Sequence, residues 1–297
     1  MIVPPFLQKG DAVGLVAPAR KVTEKELLPA VEIIKKRGYR VVMSRNLLAS
    51  ENQFAGNDIL RAADFQEILD NPEIKAIFAV RGGYGCVRIV DLIDFRRFLK
   101  NPKWLVGYSD FTVFLNHVLN MGVRSLHATM PLNFAENSAE ALNTLFSALE
   151  GKKLKYFWTS RSFCRNGTAT GILAGGNLSV LYSLLGSRSF PDLTGKILFL
   201  EDLDEYLYHL DRMMMAFKRA GVLKDLAGLI VGGMTQMHDN TIPFGKTAEE
   251  IIIETVNDYN FPVAFHFPAG HFADNRTLIM GAEVHWTVTD KKNELSF

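Results

Sequence analysis

The chain is poor in cysteine: Cys86 and Cys164 are the two it has among 297 residues. Two cannot build a disulfide framework, and their separation is not that of a metal site. Neither C-x-x-C nor H-E-x-x-H occurs, and the nearest histidine pair, His266 and His271, lacks metal-helix spacing. No metal and no cofactor is therefore expected. Long hydrophobic runs are missing too; no stretch approaches the roughly 18 apolar residues that a membrane span needs. The first residues, Met1 to Asp11, show no charged region, sustained apolar stretch or small-residue cleavage site, so a cytoplasmic protein is expected. Charge of one sign is lacking as well. With 33 basic and 32 acidic residues the net charge is +1, and no global field draws the chain to nucleic acid or an anionic membrane. The aromatic residues lack the basic interleaving of a nucleic-acid surface.

What is present is an ordinary globular composition, 48% apolar and 22% charged, with a length that suggests about two domains at roughly 100–200 residues each. The first half alternates strands with amphipathic helices. Asp11 to Pro18 reads as a strand, Thr23 to Arg37 as a helix with a Thr23/Glu26 capping box, and Tyr39 to Met43 as the next strand. A helix at Asp58–Leu69 and strands at Ile74–Val80 and Trp104–Tyr108 follow. This alternation implies a parallel sheet covered by helices. Lys152 to Thr168 is basic and aromatic without a period and reads as an interdomain connection. Beyond it come a short apolar helix after Gly175-Gly-Asn-Leu, strand Gly195–Leu200, helix Leu207–Ala220, strand Leu226–Gly233, helix Thr247–Tyr259 and strand Phe261–Phe265. Extended segments near Leu278 and Val284–Val288 finish the chain. The expected organisation is 1–150 as one domain, 151–170 as linker and 171–297 as a second α/β domain.

Ligands of open α/β sheets bind beyond the carboxyl ends of the strands, and three strand ends carry reactive side chains. Gly107-Tyr-Ser109-Asp110 runs from strand into helix, the form of a nucleophile elbow, although Phe111 stands where a second glycine is usual. Its plainer reading is that Ser109 and Asp110 cap the helix. Glu201 follows the apolar strand Lys196–Leu200; it would otherwise cap helix Leu207–Ala220 or pair with Arg212. His271 follows Gly270 at a third strand end, where it could also be a surface loop residue. His127 is a weaker candidate base, and His117, His209 and His285 lie within regular elements. Serine needs a base, and the base needs an orienting acceptor. The three strand ends together supply Ser109, His271 and Glu201.

A fourth strand end, Val80-Arg81-Gly82-Gly83-Tyr84-Gly85, lets backbone approach a ligand closely. It lacks the spacing and lysine of a phosphate loop, and an oxyanion loop donating N–H groups toward Ser109 fits better. Cys86 lacks a G-x-C-x-G frame and reads as packing. Met213 to Met215 read as core filler.

These blocks resemble the LD-carboxypeptidase family. The strings Lys9-Gly-Asp-Ala-Val-Gly-Leu-Val-Ala-Pro, Arg81-Gly-Gly-Tyr-Gly, Gly107-Tyr-Ser-Asp-Phe-Thr, Gly175-Gly-Asn-Leu-Ser, Leu200-Glu-Asp-Leu-Asp-Glu-Tyr with Asp211-Arg-Met, and Gly270-His follow family order over nearly the whole chain. The related microcin-immunity peptidases share most of them. The resemblance implies a flavodoxin-like N-terminal domain with a parallel sheet and a smaller, swivelling β/α C-terminal domain, with the site between them. It makes Ser109 the nucleophile, His271 the general base and Glu201 its orienter. Backbone N–H groups at Gly82, Gly83 and Asp110 would form the oxyanion hole. The implied substrate is a murein tetrapeptide losing its terminal D-alanine in cell-wall recycling, with no cofactor and a homodimeric enzyme. A cationic group should hold the substrate carboxylate, and Arg81 and Arg88 are nearest by sequence.

Ala19 stands where serine commonly follows Ala-Pro, and His127-Ala-Thr-Met replaces His-Gly-Pro-Met. Two rivals remain open. One is a peptidase for a peptide-nucleotide conjugate, for which Trp158 near the junction could stack a base. The other is a non-catalytic binding module using the same cleft.

Overall fold

A capping box, a glycine stop and an apolar stripe specify the first helix, and each forms in the computed structural model, which describes residues 1–160 and 163–297. Thr23 and Glu26 cap helix Glu24–Lys36 reciprocally, and Leu27, Ala30, Val31 and Ile34 form its buried face. Gly38 follows at φ +93°, a conformation that ends helices cheaply. The strands of this half are β1 (Ala12–Val16), β2 (Arg40–Met43), β3 (Ile74–Ala79), β4 (Trp104–Gly107) and β5 (Ser125–His127). All pair in parallel, in the spatial order β2-β1-β3-β4-β5. That is the flavodoxin-like order. Every residue of β1 and β4 is buried, as expected for strands covered on both faces.

The second half contributes β6 (Lys155–Trp158), β7 (Gly167–Asn177), β8 (Ile197–Leu203), β9 (Gly228–Thr235), β10 (Val263–Ala264), β11 (Leu278–Met280), β12 (Glu283–Val288) and β13 (Asn293–Ser296). Seven of them form one mixed sheet, β10-β9-β8-β7-β12-β13-β6. The run β10 to β7 is parallel and the rest antiparallel. The reading of 152–168 as an irregular connection is corrected by β6, whose residues alternate exposed and buried on the sheet edge. Four residues are too short for that alternation to stand out from the basic and aromatic surroundings. Residues 161 and 162 of that stretch lie outside the described residues.

Strand β11 does not join the second sheet. It pairs antiparallel with β5, Leu278 opposite His127, as the sixth strand of the first sheet. The two halves are also tied where helix Thr112–Asn120 meets the end of β7. Asn116 Nδ2 donates to Gly175 O at 2.9 Å and Asn177 N to Thr112 Oγ1 at 3.0 Å. Among the described residues, no helix is long and apolar enough to cross a membrane.

Candidate active site

The turn after β4 is strained in a specific way. Ser109 has φ +60°, uncommon for a residue with a side chain and typically costing about 1–3 kcal/mol. A tight turn spans Ser109–Phe111, and helix Thr112–Asn120 follows. Neither start carries a side-chain cap hydrogen bond, so the capping alternative for Ser109 is not what the structure contains. Phe111, in place of a second glycine, packs so tightly that a Cβ on Gly107 would fall 2.7 Å from its ring.

The glycine loop after β3 lies against this serine. A Cβ on Gly82 would stand 2.9 Å from Ser109 Cβ and 3.0 Å from Oγ; only glycine leaves the hydroxyl open. Asp110 holds the loop in place. Its buried carboxylate accepts the amide of Cys86 at 2.8 Å, at the start of helix Cys86–Ile89. Burial pushes the Asp110 carboxyl up, against the pull of that amide and its neighbours. Cys86 is buried, with its thiol pushed well above its ordinary range by burial and by the Asp110 charge, consistent with packing.

Glu201 and His271 come from the second half of the chain, the first on β8 and the second on the loop after β10. The register of β8 against β9 shifts between Leu200 and Asp202, an irregularity of the kind that re-aims side chains near active sites. Glu201 is fully buried there, and its Oε2 accepts from His271 Nδ1 at 2.7 Å. It neither caps helix Leu207–Arg219, whose N-cap is Tyr206, nor pairs with Arg212, whose guanidinium covers Tyr208. The backbone brings His271 in through Gly270, at φ +132°, where a Cβ would meet Glu201 Oε2 at 3.1 Å. β10 stops at Ala264, so His271 stands on a longer loop than the expected strand Phe261–Phe265 implied.

Burial alone would raise the Glu201 carboxyl, but the His271 charge and the rings of His127 and His271 hold it well below the usual range. Burial opposes the charged form of His271, yet Glu201 charge and hydrogen bonding raise its pKa above the ordinary imidazole value. Next in chain, Asp202 is pushed up to about 7 by burial and then by the Glu201 charge. Its oxygens accept from Asn177 Nδ2 and Ser179 N, both at 2.9 Å.

Ser109 and His271 line one cavity of about 360 Å³, shared with Gly82, Gly83, Arg20 and Arg81. A second, of about 310 Å³, continues past Tyr108 and His271 toward Glu136 and Gln236. The structure therefore brings Ser109, Glu201 and His271 together with the loop at Gly82 and Gly83 and with Asp110. Arg81 enters the cavity while its Nη1 donates to Lys21 O at 3.0 Å. Burial and the Arg20 charge lower its pKa. Arg88 is corrected: it lies outside this cavity, with its guanidinium bonded to Asp58 at 2.6–2.9 Å.

Sequence reasoning missed Arg20, Asn177 and Asp202 as cavity residues. Arg20 follows the carboxyl end of β1, the same rule that found the other groups. Trp158 is buried, donates to Phe265 O at 2.9 Å and packs edge-on to Phe267. Tyr108 is the one aromatic among the described residues lining the Ser109 cavity.

Known proteins resemble this chain over nearly its whole length. Residues 13–128 match the family model described as LD-carboxypeptidase N-terminal domain, and residues 170–286 the model described as LD-carboxypeptidase C-terminal domain. A Bacillus subtilis protein named probable murein peptide carboxypeptidase is 32% identical over 97% of this chain and 92% of its own length. The crystal structure of muramoyltetrapeptide carboxypeptidase from Oxalobacter formigenes superposes with a TM-score of 0.88 at 29% identity, covering 96% of this chain and 98% of that one. The microcin C7 self-immunity protein MccF of Escherichia coli is 24% identical over 94% of this chain and 91% of its own.

Proposed function

We propose, for a chain that belongs to the LD-carboxypeptidase family, that it is a serine peptidase removing terminal D-alanine from murein tetrapeptides at an L-centre–D-Ala bond. The observation that carries this reading is the 2.7 Å Glu201–His271 contact beside a positive-φ Ser109 in a shared cavity. With Nδ1–H donating to Glu201, Nε2 of His271 is free to take the Ser109 proton. Ser109 Oγ then attacks the scissile carbonyl, and amides of Gly82, Gly83 and Asp110 receive the oxyanion. The proton passes to the leaving amine as the C–N bond breaks. Water, deprotonated by the same imidazole, cleaves the acyl-serine and regenerates the hydroxyl. Nothing in this sequence of steps calls on a cofactor.

Two arginines sharing one cavity call for an anionic partner, and the carboxylate of the leaving residue supplies it. This replaces Arg88 by Arg20 alongside Arg81. Murein-peptide relatives at about 30% identity favour this substrate over a peptide-nucleotide conjugate. So does the position of Trp158, packed away from the cavity where a base would stack. The same reading has the enzyme act in the cytoplasm as a homodimer; sedimentation tests the dimer and cell fractionation the location.

The deciding experiment compares tetrapeptides ending in D-alanine and in L-alanine, read by mass spectrometry. With the carbonyl and the carboxylate both held, inverting the leaving centre displaces one of them. We expect release of D-alanine with about 10³-fold or greater preference. Equal cleavage would remove the substrate assignment, and absence of fluorophosphonate labelling at Ser109 would remove the triad and favour a binding module.

A further inference from the structure

His127 ends β5, pairs with Gly107 on one side and Leu278 on the other, and is fully buried. Its ring lies between Tyr108 and Phe199, with centroids 5.9 and 5.0 Å away. Neither of its nitrogens has a hydrogen-bond partner among the described residues, and neither does Oε1 of Glu201. These atoms face one another, with Nε2 standing 3.9 Å from Oε1. Burying polar atoms without partners is costly, and a leucine would fill the same space without that cost.

We propose that His127 is a positioning residue for the reaction, donating Nε2–H to Glu201 Oε1 and holding the carboxylate in the plane that His271 needs. The proposal rests on the triad reading above. Glu201 is anchored to His271 through Oε2 alone, and the terminal torsion of a glutamate is broad and soft. A second anchor on Oε1 removes that freedom. The gap of 3.9 Å exceeds a hydrogen bond by about 1 Å, and catalytic hydrogen bonds are often long without substrate and tighten in the working complex. The topology gives the contact its use. Ser109 stands on the first sheet, Glu201 on the second, and His127 ends the strand beside β4. The His127–Glu201 pair therefore registers the acid and its histidine against the nucleophile.

A donated hydrogen bond also draws charge from the carboxylate and weakens its pull on the His271 proton. Removing it should make His271 more basic. The titratable groups facing His127 are Tyr108 beyond β4 and Glu201 on β8, with Asp202 and His271 behind Glu201; Leu278 of β11 adds none.

The test uses the full chain with His127→Leu, His127→Gln and His127→Asn. Glutamine can place an N–H donor near the position of Nε2; asparagine is polar but too short. NMR titration of the His271 ring should show its pKa raised by about half a unit in the leucine variant and returned in the glutamine variant. The leucine variant should lose about 10- to 100-fold in kcat with little change in KM, as when other catalytic groups lose their orienting partner, and glutamine should recover most of it. If leucine prevents folding, the glutamine–asparagine pair carries the same comparison. Identical His271 titration in the folded variants, or glutamine no better than asparagine, overturns the proposal. A wild-type chain that releases no D-alanine while the His271 shift is still seen would overturn the substrate reading and leave this one standing.

Discussion

His271 Nδ1 lies 2.7 Å from Glu201 Oε2, although the two residues are 70 positions apart and reach the contact from the loop after β10 and from within β8. Glu201 is fully buried, whereas the His271 side chain retains 14% exposure. A desolvated carboxylate behind a partly open imidazole favours the proton on Nδ1, and the same ring lines the cavity that holds Ser109.

Ser109→Ala should abolish hydrolysis with the fold intact. Loss of a nucleophile costs on the order of 10⁴–10⁶ in kcat. Replacing a positive-φ residue by alanine leaves the local strain in place, so the melting temperature should move little. Turnover near the wild-type rate would end the assignment, whatever the stability. Activity should also persist after exhaustive chelation.

If Glu201 works only through the imidazole, Glu201→Gln should be about 10- to 100-fold less damaging than His271→Ala, and the double variant should be no worse than His271→Ala. Steady-state kinetics of the three proteins measure this. Additive losses would mean that the two residues act separately.

In the proposed mechanism only neutral His271 can accept the serine proton. Since Glu201 raises its pKa despite burial, the acid limb of kcat/KM should have its midpoint above about 6.5, the ordinary imidazole value. Glu201→Gln should move it downward. The stability linkage runs in two directions. His271, raised on folding, contributes fully below about pH 6.5, and this is lost as pH rises through its folded value. Glu201, depressed on folding, contributes fully above about pH 4.3, and this is lost as pH falls through its folded value. The melting-temperature gap between wild type and Glu201→Gln should therefore be widest from about pH 4.3 to 6.5 and narrow on both sides. A gap independent of pH would contradict the ion pair.

Gly82→Ala should impair the chemistry more than the fold. The added methyl would stand 3.0 Å from Ser109 Oγ and 3.5 Å from Met130 Cε, crowding the hydroxyl and displacing the loop amides. A fall of about 10²–10³ in kcat is expected, comparable to losing an oxyanion donor. Unchanged kcat would show that the loop does not serve the oxyanion.

Arg20→Gln and Arg81→Gln should each raise KM by about 10- to 100-fold for a tetrapeptide with a free terminal carboxylate, the usual effect of losing a hydrogen bond to a charged group. The same substitutions should matter little for the C-terminal amide. Equal effects on acid and amide would place these arginines outside the carboxylate site, whereas Arg88→Gln, bonded to Asp58, should leave KM unchanged.

Strands β1, β3 and β4 were legible because parallel strands buried on both faces are largely apolar, and Thr23, Glu26 and Gly38 mark helix ends by local chemistry alone. Ser109, Glu201, His271 and Arg81 were legible for a related reason: a parallel sheet collects its strand ends on one side. Arg20 obeys that rule but stands two residues beyond a proline stop with nothing reactive beside it. The β6 strand was too short to register a period. Other features depended on contacts between residues distant in the chain. β11 crosses to the first sheet, and Glu201 is buried where the register of β8 shifts. Gly270 gives His271 its approach, and Arg88 is taken by Asp58 rather than by the cavity. Each of these is set by contacts between elements distant in the chain, and local sequence carries no record of which elements will meet.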